Sequence, residues 1–418
     1  MPRAYLSRFA PLALAVLLSA WAVSAQQLIS FSKNAVLKAD VANSRVEKHL
    51  KDVELPKFEQ DIDLYKITYT STDENGKPVN LTGLAAFPKS GAPKGLVIYM
   101  HGTQWNRKES PSRFKAKDDT VSFYLELASF ATGGYAMVMP DYIGLGDNKR
   151  IHPYPLNLVN AQSGVDIIDA ARALTKRMAY DLGDDLFVTG YSEGGGTAMG
   201  LTKFLEEKND PKYHVTRSAP MSGPYDLTGA TRDYLLAEAS GKDLIARAFL
   251  LGYCVKYFKD KYGVNADDYF SKPVAIAVNT AFKDGRSEAD ILVRLAVVST
   301  ISGSTKSVEK LLTQRFIEAL ETLDTSDPVI RELSKNNVFD WSPRTEMLLQ
   351  NLSTDKIVAP ENTHNAVRAM RERGVGSDRL RHIEVVDESL DHGSVAKITI
   401  VNARRFFDGG FAAVPDAK

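Results

Sequence analysis

The sequence predicts an α/β fold: a mostly parallel, doubly wound sheet with helices on both faces and a block of helices inserted between two of its strands. Three observations carry that expectation. Runs such as residues 95–100 are apolar nearly throughout, as strands buried on both faces of a parallel sheet are. These runs alternate with helix-length windows, the order that builds parallel sheets. A Gly-x-Ser-x-Gly string, Gly190-Tyr191-Ser192-Glu193-Gly194, falls where one strand hands over to the next helix.

Composition narrows the function before any element is placed. The 418 residues hold 52 basic and 52 acidic side chains, 44% are hydrophobic and 25% charged, an ordinary globular balance sized for one large or two modest domains. No run of like charge offers a footprint for a phosphate backbone, so nucleic acid is not an expected partner. At the N-terminus Arg3 and Arg8 lead into an apolar stretch over residues 9–20 and then the small-residue site Val23-Ser24-Ala25. That is the layout of a secretory signal peptide over residues 1–25, and the apolar stretch is shorter than the roughly 20 residues a bilayer span needs. A secreted or periplasmic protein is expected. The single cysteine, Cys254, forbids an internal disulfide and reads as a buried structural thiol within an apolar run.

Taken in order, residues 34–50 read as a short polar helix. Residues 64–70 alternate with a period of two and read as a strand, joined through the turn Asp73-Glu74-Asn75-Gly76 to a second run at 79–87 in a hairpin. The strand at 95–100 stops at His101-Gly102-Thr103. A helix at 121–130, a strand at 136–139, a helix at 159–177, a strand at 186–189, a helix from Gly195 and a strand at 215–219 continue the alternation. From 226 to 337 the windows are helical (231–239, 242–257, 274–282, 288–298, 308–323), with no clear strand. A strand at 347–350, a helix at 362–373, a strand at 382–386 and a helix at 394–407 close the chain. The expected organisation is a core of residues 26–225 and 338–418 interrupted by a helical insertion of residues 226–337.

Ser192 is the candidate nucleophile, because a sharp strand-to-helix turn lifts its hydroxyl above the sheet and only glycines leave room for that backbone. A serine hydroxyl needs a base, and the chain offers seven histidines. In folds with this turn the chain order is serine, acid, histidine, which removes His49, His101 and His152. His214 follows Ser192 too closely, His364 lies inside a helix and His382 opens a strand. His392 remains, in the loop after the last strand, where open α/β sheets carry their reactive groups. The acid that orients its imidazole is Asp355, on the loop after the strand at 347–350, with Glu361, Asp387 and Asp391 as rivals. Oxyanion donors are expected from the amides of Glu193 and Thr103, with Gln104 as alternative to the latter, and His101 is expected to brace that loop. There is no His-Glu-x-x-His and no cysteine pair, so neither metal nor cofactor is expected.

These residues resemble the α/β-hydrolase superfamily over nearly all of the mature chain. Pro140-Asp141-Tyr142-Ile143-Gly144-Leu145-Gly146, His152-Pro153-Tyr154 and Gly190-Tyr191-Ser192-Glu193-Gly194-Gly195 are similar to the secretory lipase group, whose members carry a helical lid between the sixth and seventh strands. The resemblance implies a serine carboxylic-ester hydrolase, a lipase or esterase, with Ser192, Asp355 and His392 at the triad positions and residues 226–337 as the lid. It implies a small-molecule or lipid ester as substrate and a transient lipid contact through the lid. Glu193 stands where glutamine is frequent, and its side chain would add negative charge near the acyl oxygen. Asp141 is expected to hydrogen-bond within the Asp141-Tyr142 turn. A peptidase or amidase on the same fold is the competing reading, since the triad is indifferent to the leaving group. A degenerate, purely binding module is a third, disfavoured by the intact triad.

Overall fold

A computed structural model describes residues 27–49, 57–115, 123–131, 133–283 and 285–416. The expected signal peptide lies outside the described residues. Nine strands form one sheet in the order β1-β2-β3-β5-β4-β6-β7-β8-β9. β1 (Leu28–Leu37), β2 (Ile62–Thr72) and β3 (Pro78–Pro88) make an antiparallel ribbon that joins β5 (Ala136–Pro140). From β5 onward β4 (Leu96–Met100), β6 (Leu186–Tyr191), β7 (Arg217–Met221), β8 (Glu346–Leu352) and β9 (Leu380–Val385) run parallel.

The apolar run of β4 shows why such strands have no polar face. Val97 and Tyr99 enter a core shared with the segment Tyr124–Ala131 and the last helix, His392–Gly409. Leu96, Ile98 and Met100 enter the opposite core, shared with the helices Asn157–Met178 and Glu193–Lys208. Successive side chains point to opposite faces, and both faces are covered. A third core belongs to the insertion, from Leu227 to Leu333, with Tyr154 and Leu156 joining it. Cys254 is buried in it, and burial pushes its thiol far above the ordinary range.

The structure departs from the sequence reading at several elements. Residues 34–50 hold the end of β1 and the helix Ala39–His49. β1 is an edge strand covered only at its ends, Leu28 and Leu37, so no apolar alternation announced it. With β1 counted, the insertion stands between the seventh and eighth strands. The strand expected at 215–219 runs Arg217–Met221. The helix expected over 308–323 is broken: Leu312 bridges to Phe270, and the Thr313 hydroxyl caps the next helix, Gln314–Thr322, by accepting the Phe316 N–H at 3.2 Å. A helix at Pro328–Lys335 had no window of its own; Asp327 caps it, accepting the Val329 N–H at 2.8 Å. Of the helix expected at 121–130, the described part is a short helix at Tyr124–Glu126 continuing into a wider turn at Leu127–Ala131.

Candidate active site

The carboxyl ends of β4, β6, β8 and β9 converge on one rim, and each contributes a loop to the site. Ser192 lies between β6 and the helix Glu193–Lys208, at φ 59° and ψ −124°, a region that residues with a Cβ avoid. Its amide donates to the Met221 carbonyl at 3.1 Å, and its carbonyl accepts the Gly195 N–H at 2.8 Å. The flanking glycines are required by distance. A Cβ on Gly190 would stand 2.3 Å from the Gly194 carbonyl oxygen, and one on Gly194 would stand 1.9 Å from that of Met100. Three backbones therefore meet where no side chain fits, and the helix below presents its positive N-terminal end to the site.

His392 Nε2 lies 2.8 Å from Ser192 Oγ, and His392 Nδ1 lies 2.6 Å from Asp355 Oδ2. Asp355 is buried, and its other carboxylate oxygen accepts the N–H groups of Ile357 at 2.8 Å and Val358 at 3.0 Å. Both oxygens are thus engaged and the carboxylate cannot swing away. The structure brings together all three residues singled out in the sequence. His392 is the first residue of the helix His392–Gly409 and not part of a loop, because Asp391 caps that helix in a reciprocal pair with Ser394. The Tyr191 hydroxyl donates to the His392 carbonyl, and the two rings are 5.1 Å apart.

The rivals of Asp355 have local duties. Asp391 caps, Asp387 accepts the Ser389 N–H at 2.8 Å on an exposed turn, and Glu361 opens the helix Glu361–Glu372. Asp141 does not bond within its own turn: it accepts the Thr82 hydroxyl and, at 2.8 Å, the Ser112 N–H, joining β3 to the segment after β4. His101 stacks on Tyr142 at 4.1 Å and faces the Gly102 and Asp141 carbonyls; burial lowers its imidazole to about 4, so it stays neutral.

Thr103 and Gln104 line one cavity with Ser192 and His392, and Gly102 packs so close that a Cβ there would stand 3.6 Å from Ser192 Cβ. The Glu193 amide opens a helix, where first-turn N–H groups lack intrahelical partners. Its side chain behaves otherwise than expected. It turns away into the protein, where it is buried and meets His152 Nε2 at 2.7 Å and the Asn160 amide at 3.2 Å. This His152–Glu193–Asn160 group escaped the sequence reading because its members lie 41 and 33 residues apart along the chain. So did the Tyr253 hydroxyl, which donates to the Gln104 carbonyl at 2.8 Å and ties the insertion to the loop after β4.

The cavity has a volume of about 920 Å³. Tyr99, Phe249 and Leu292 supply apolar wall, and Lys242, Glu288, Lys356 and Glu388 ring its mouth. Glu126 also lines it, and burial pushes its carboxyl up to about 7. A narrower pocket of about 80 Å³ touches Ser192 from the other side, running between Leu250, Leu251, Phe316 and Leu320 of the insertion. In chemical terms the site holds a hydroxyl beside an imidazole whose far nitrogen is bonded to a fixed carboxylate. Such a set can take a proton from the hydroxyl and hold the imidazolium that results.

No family model matches the chain, and no curated protein matches it either. Solved structures do. A Legionella pneumophila protein named a hydrolase is 25% identical, with 92% of this chain and 98% of that chain covered and a TM-score of 0.77. The rice cell wall degrading esterase LipA from Xanthomonas oryzae is 21% identical, with 90% and 97% covered and a TM-score of 0.75. Candida antarctica lipase A in its closed state is 14% identical, with 94% and 83% covered and a TM-score of 0.62. The nine-stranded sheet, its flanking helices and these likenesses together give the chain an α/β-hydrolase fold, the fold it shares with this hydrolase, this esterase and this lipase.

Proposed function

We propose that the protein is an exported serine hydrolase that cleaves carboxylic esters through an acyl-enzyme on Ser192. The observation that carries this reading is the unbroken line from Ser192 Oγ through His392 to Asp355. His392 Nε2 takes the hydroxyl proton as Oγ bonds to the ester carbonyl carbon. The tetrahedral oxyanion sits against the amides of Glu193 and Thr103. His392 then returns the proton to the departing alkoxide, which leaves as alcohol. Water, deprotonated by the same imidazole, attacks the acyl-enzyme and frees the acid and Ser192. That the esterase and the lipase named above share this fold supports the choice of ester over amide.

The narrow pocket lined by Leu250, Leu251, Phe316 and Leu320 suits an acyl chain, and the wider cavity with its charged mouth suits the alcohol. The insertion serves as lid. Val293, Val297 and Ile301 of the helix Glu288–Ile301 are exposed at helical spacing, which suits a transient contact with a lipid interface. Export rests on residues 1–25.

The test is hydrolysis of p-nitrophenyl esters of graded acyl length beside aminoacyl anilides, with wild type and Ser192→Ala. Ester turnover that falls about 10⁴-fold or more in the variant, with silent anilides, is the expected result. Dominant anilide turnover, or no turnover in folded protein, sinks the esterase reading.

A further inference from the structure

On the flank of the sheet, away from the residues discussed above, His364 of the helix Glu361–Glu372 faces His382 and Glu384 of β9. One nitrogen of each ring and one carboxylate oxygen lie within 4.8 Å of one another. Glu384 Oε1 is 2.7 Å from His364 Nε2 and accepts the Asn351 amide at 2.9 Å. Asn351 Oδ1 is in turn 2.7 Å from His382 Nε2. The spacing of two along β9 puts His382 and Glu384 on one face, and β9 is the sheet edge.

A surface ion pair alone would need only His364 and Glu384, yet Asn351 holds the His382 ring beside them. Two imidazoles and a carboxylate are instead a donor set for borderline divalent cations, zinc foremost. Zinc bonds of about 2.0–2.2 Å place tetrahedral ligand atoms about 3.4 Å apart. Closing from 4.8 Å asks only for rotation of side chains, and His364 and Glu384 have solvent on one side to turn in. Asn351 stands beside two of the three ligands, as a partner that orients them.

We propose that His364, His382 and Glu384 bind a divalent transition cation of the zinc type, with water completing the coordination. The ion joins a helix to the edge strand. Asn351 lies on β8 ahead of the Asp355 loop, and Glu384 lies on β9 ahead of His392, so the ion braces the strands from which both loops leave. Its role is stability of that edge and not chemistry on the ester, and it holds or fails independently of the hydrolase reading. The sequence concealed it because the ligands lie on a helix and a strand and match no ligand spacing.

The experiment is zinc titration of chelator-stripped protein, followed by calorimetry and by thermal melting, with His364→Ala, His382→Ala and Asn351→Ala alongside. One zinc per chain at micromolar affinity or better is expected, with the melting temperature raised by a few degrees. Binding should vanish in both histidine variants and weaken about 10–100-fold in Asn351→Ala. Magnesium should leave the melt unchanged. His364 is exposed, so its variant should melt like the stripped wild type. No zinc binding at up to about 100 μM, a hundred times a micromolar Kd, or binding unchanged in either histidine variant, overturns the proposal.

Discussion

Around Ser192 three backbones meet at distances that exclude a Cβ, whereas the helices between β7 and β8 meet through interdigitated side chains such as Phe249, Phe282 and Leu295. The first region has one shape or none, since a single methyl group collides with carbonyl oxygens on a neighbouring strand. The second distributes its stability over many contacts, each replaceable at moderate cost. On the proposed reading, the rigid turn holds the nucleophile in place while the side-chain-packed insertion shapes the substrate cavity.

The sharpest way to break this comparison is Gly194→Ala. Its Cβ would stand 1.9 Å from the Met100 carbonyl, and a cost above about 4 kcal/mol is expected in urea unfolding, enough to leave little folded protein. A near-wild-type midpoint would mean that the turn can relax. Next in size is Leu295→Ala in the insertion, fully buried on the helix Glu288–Ile301, for which about 2–5 kcal/mol is expected. On the same helix Val297→Ser, 52% exposed, should cost less than about 0.5 kcal/mol. Equal effects at the two positions would contradict the packing described for the insertion.

A separate prediction concerns pH. Glu126 has its carboxyl pushed by burial from an ordinary 4.5 up to about 7, so between those values the folded chain holds a proton that the unfolded chain has lost. Stability should therefore fall as pH rises from about 4.5 to about 7 and level off above. Glu126→Gln should lose that slope, gaining relative to wild type at pH 8 and not at pH 4, as read from urea midpoints at the two pH values. An unchanged slope would place Glu126 in better contact with water than its position in the cavity wall implies.

What could be read from the sequence follows the same division. The central strands announced themselves as apolar runs, and the Ser192 turn by glycines whose need is local. Asp355 and His392 could be named because chain order and the carboxyl ends of strands limit the choices. Elements whose cause is distant stayed hidden. β1 is held by hydrogen bonds to β2 with most of its side chains in solvent, so it showed no pattern. The break at Leu312 comes from a bridge to Phe270, and the direction of the Glu193 side chain comes from His152 and Asn160 on other segments. None of these partners is adjacent in the chain, and no periodicity records them.

The central claim is that His392 activates Ser192. Labelling with a fluorophosphonate and locating the adduct by peptide mass tests it most directly, because the reagent reports the nucleophile without assuming a natural substrate. One adduct per chain on the peptide holding Ser192 is expected, forming about 10²–10⁴-fold more slowly in His392→Ala. An adduct on another residue, or an unchanged rate in His392→Ala, would contradict the account.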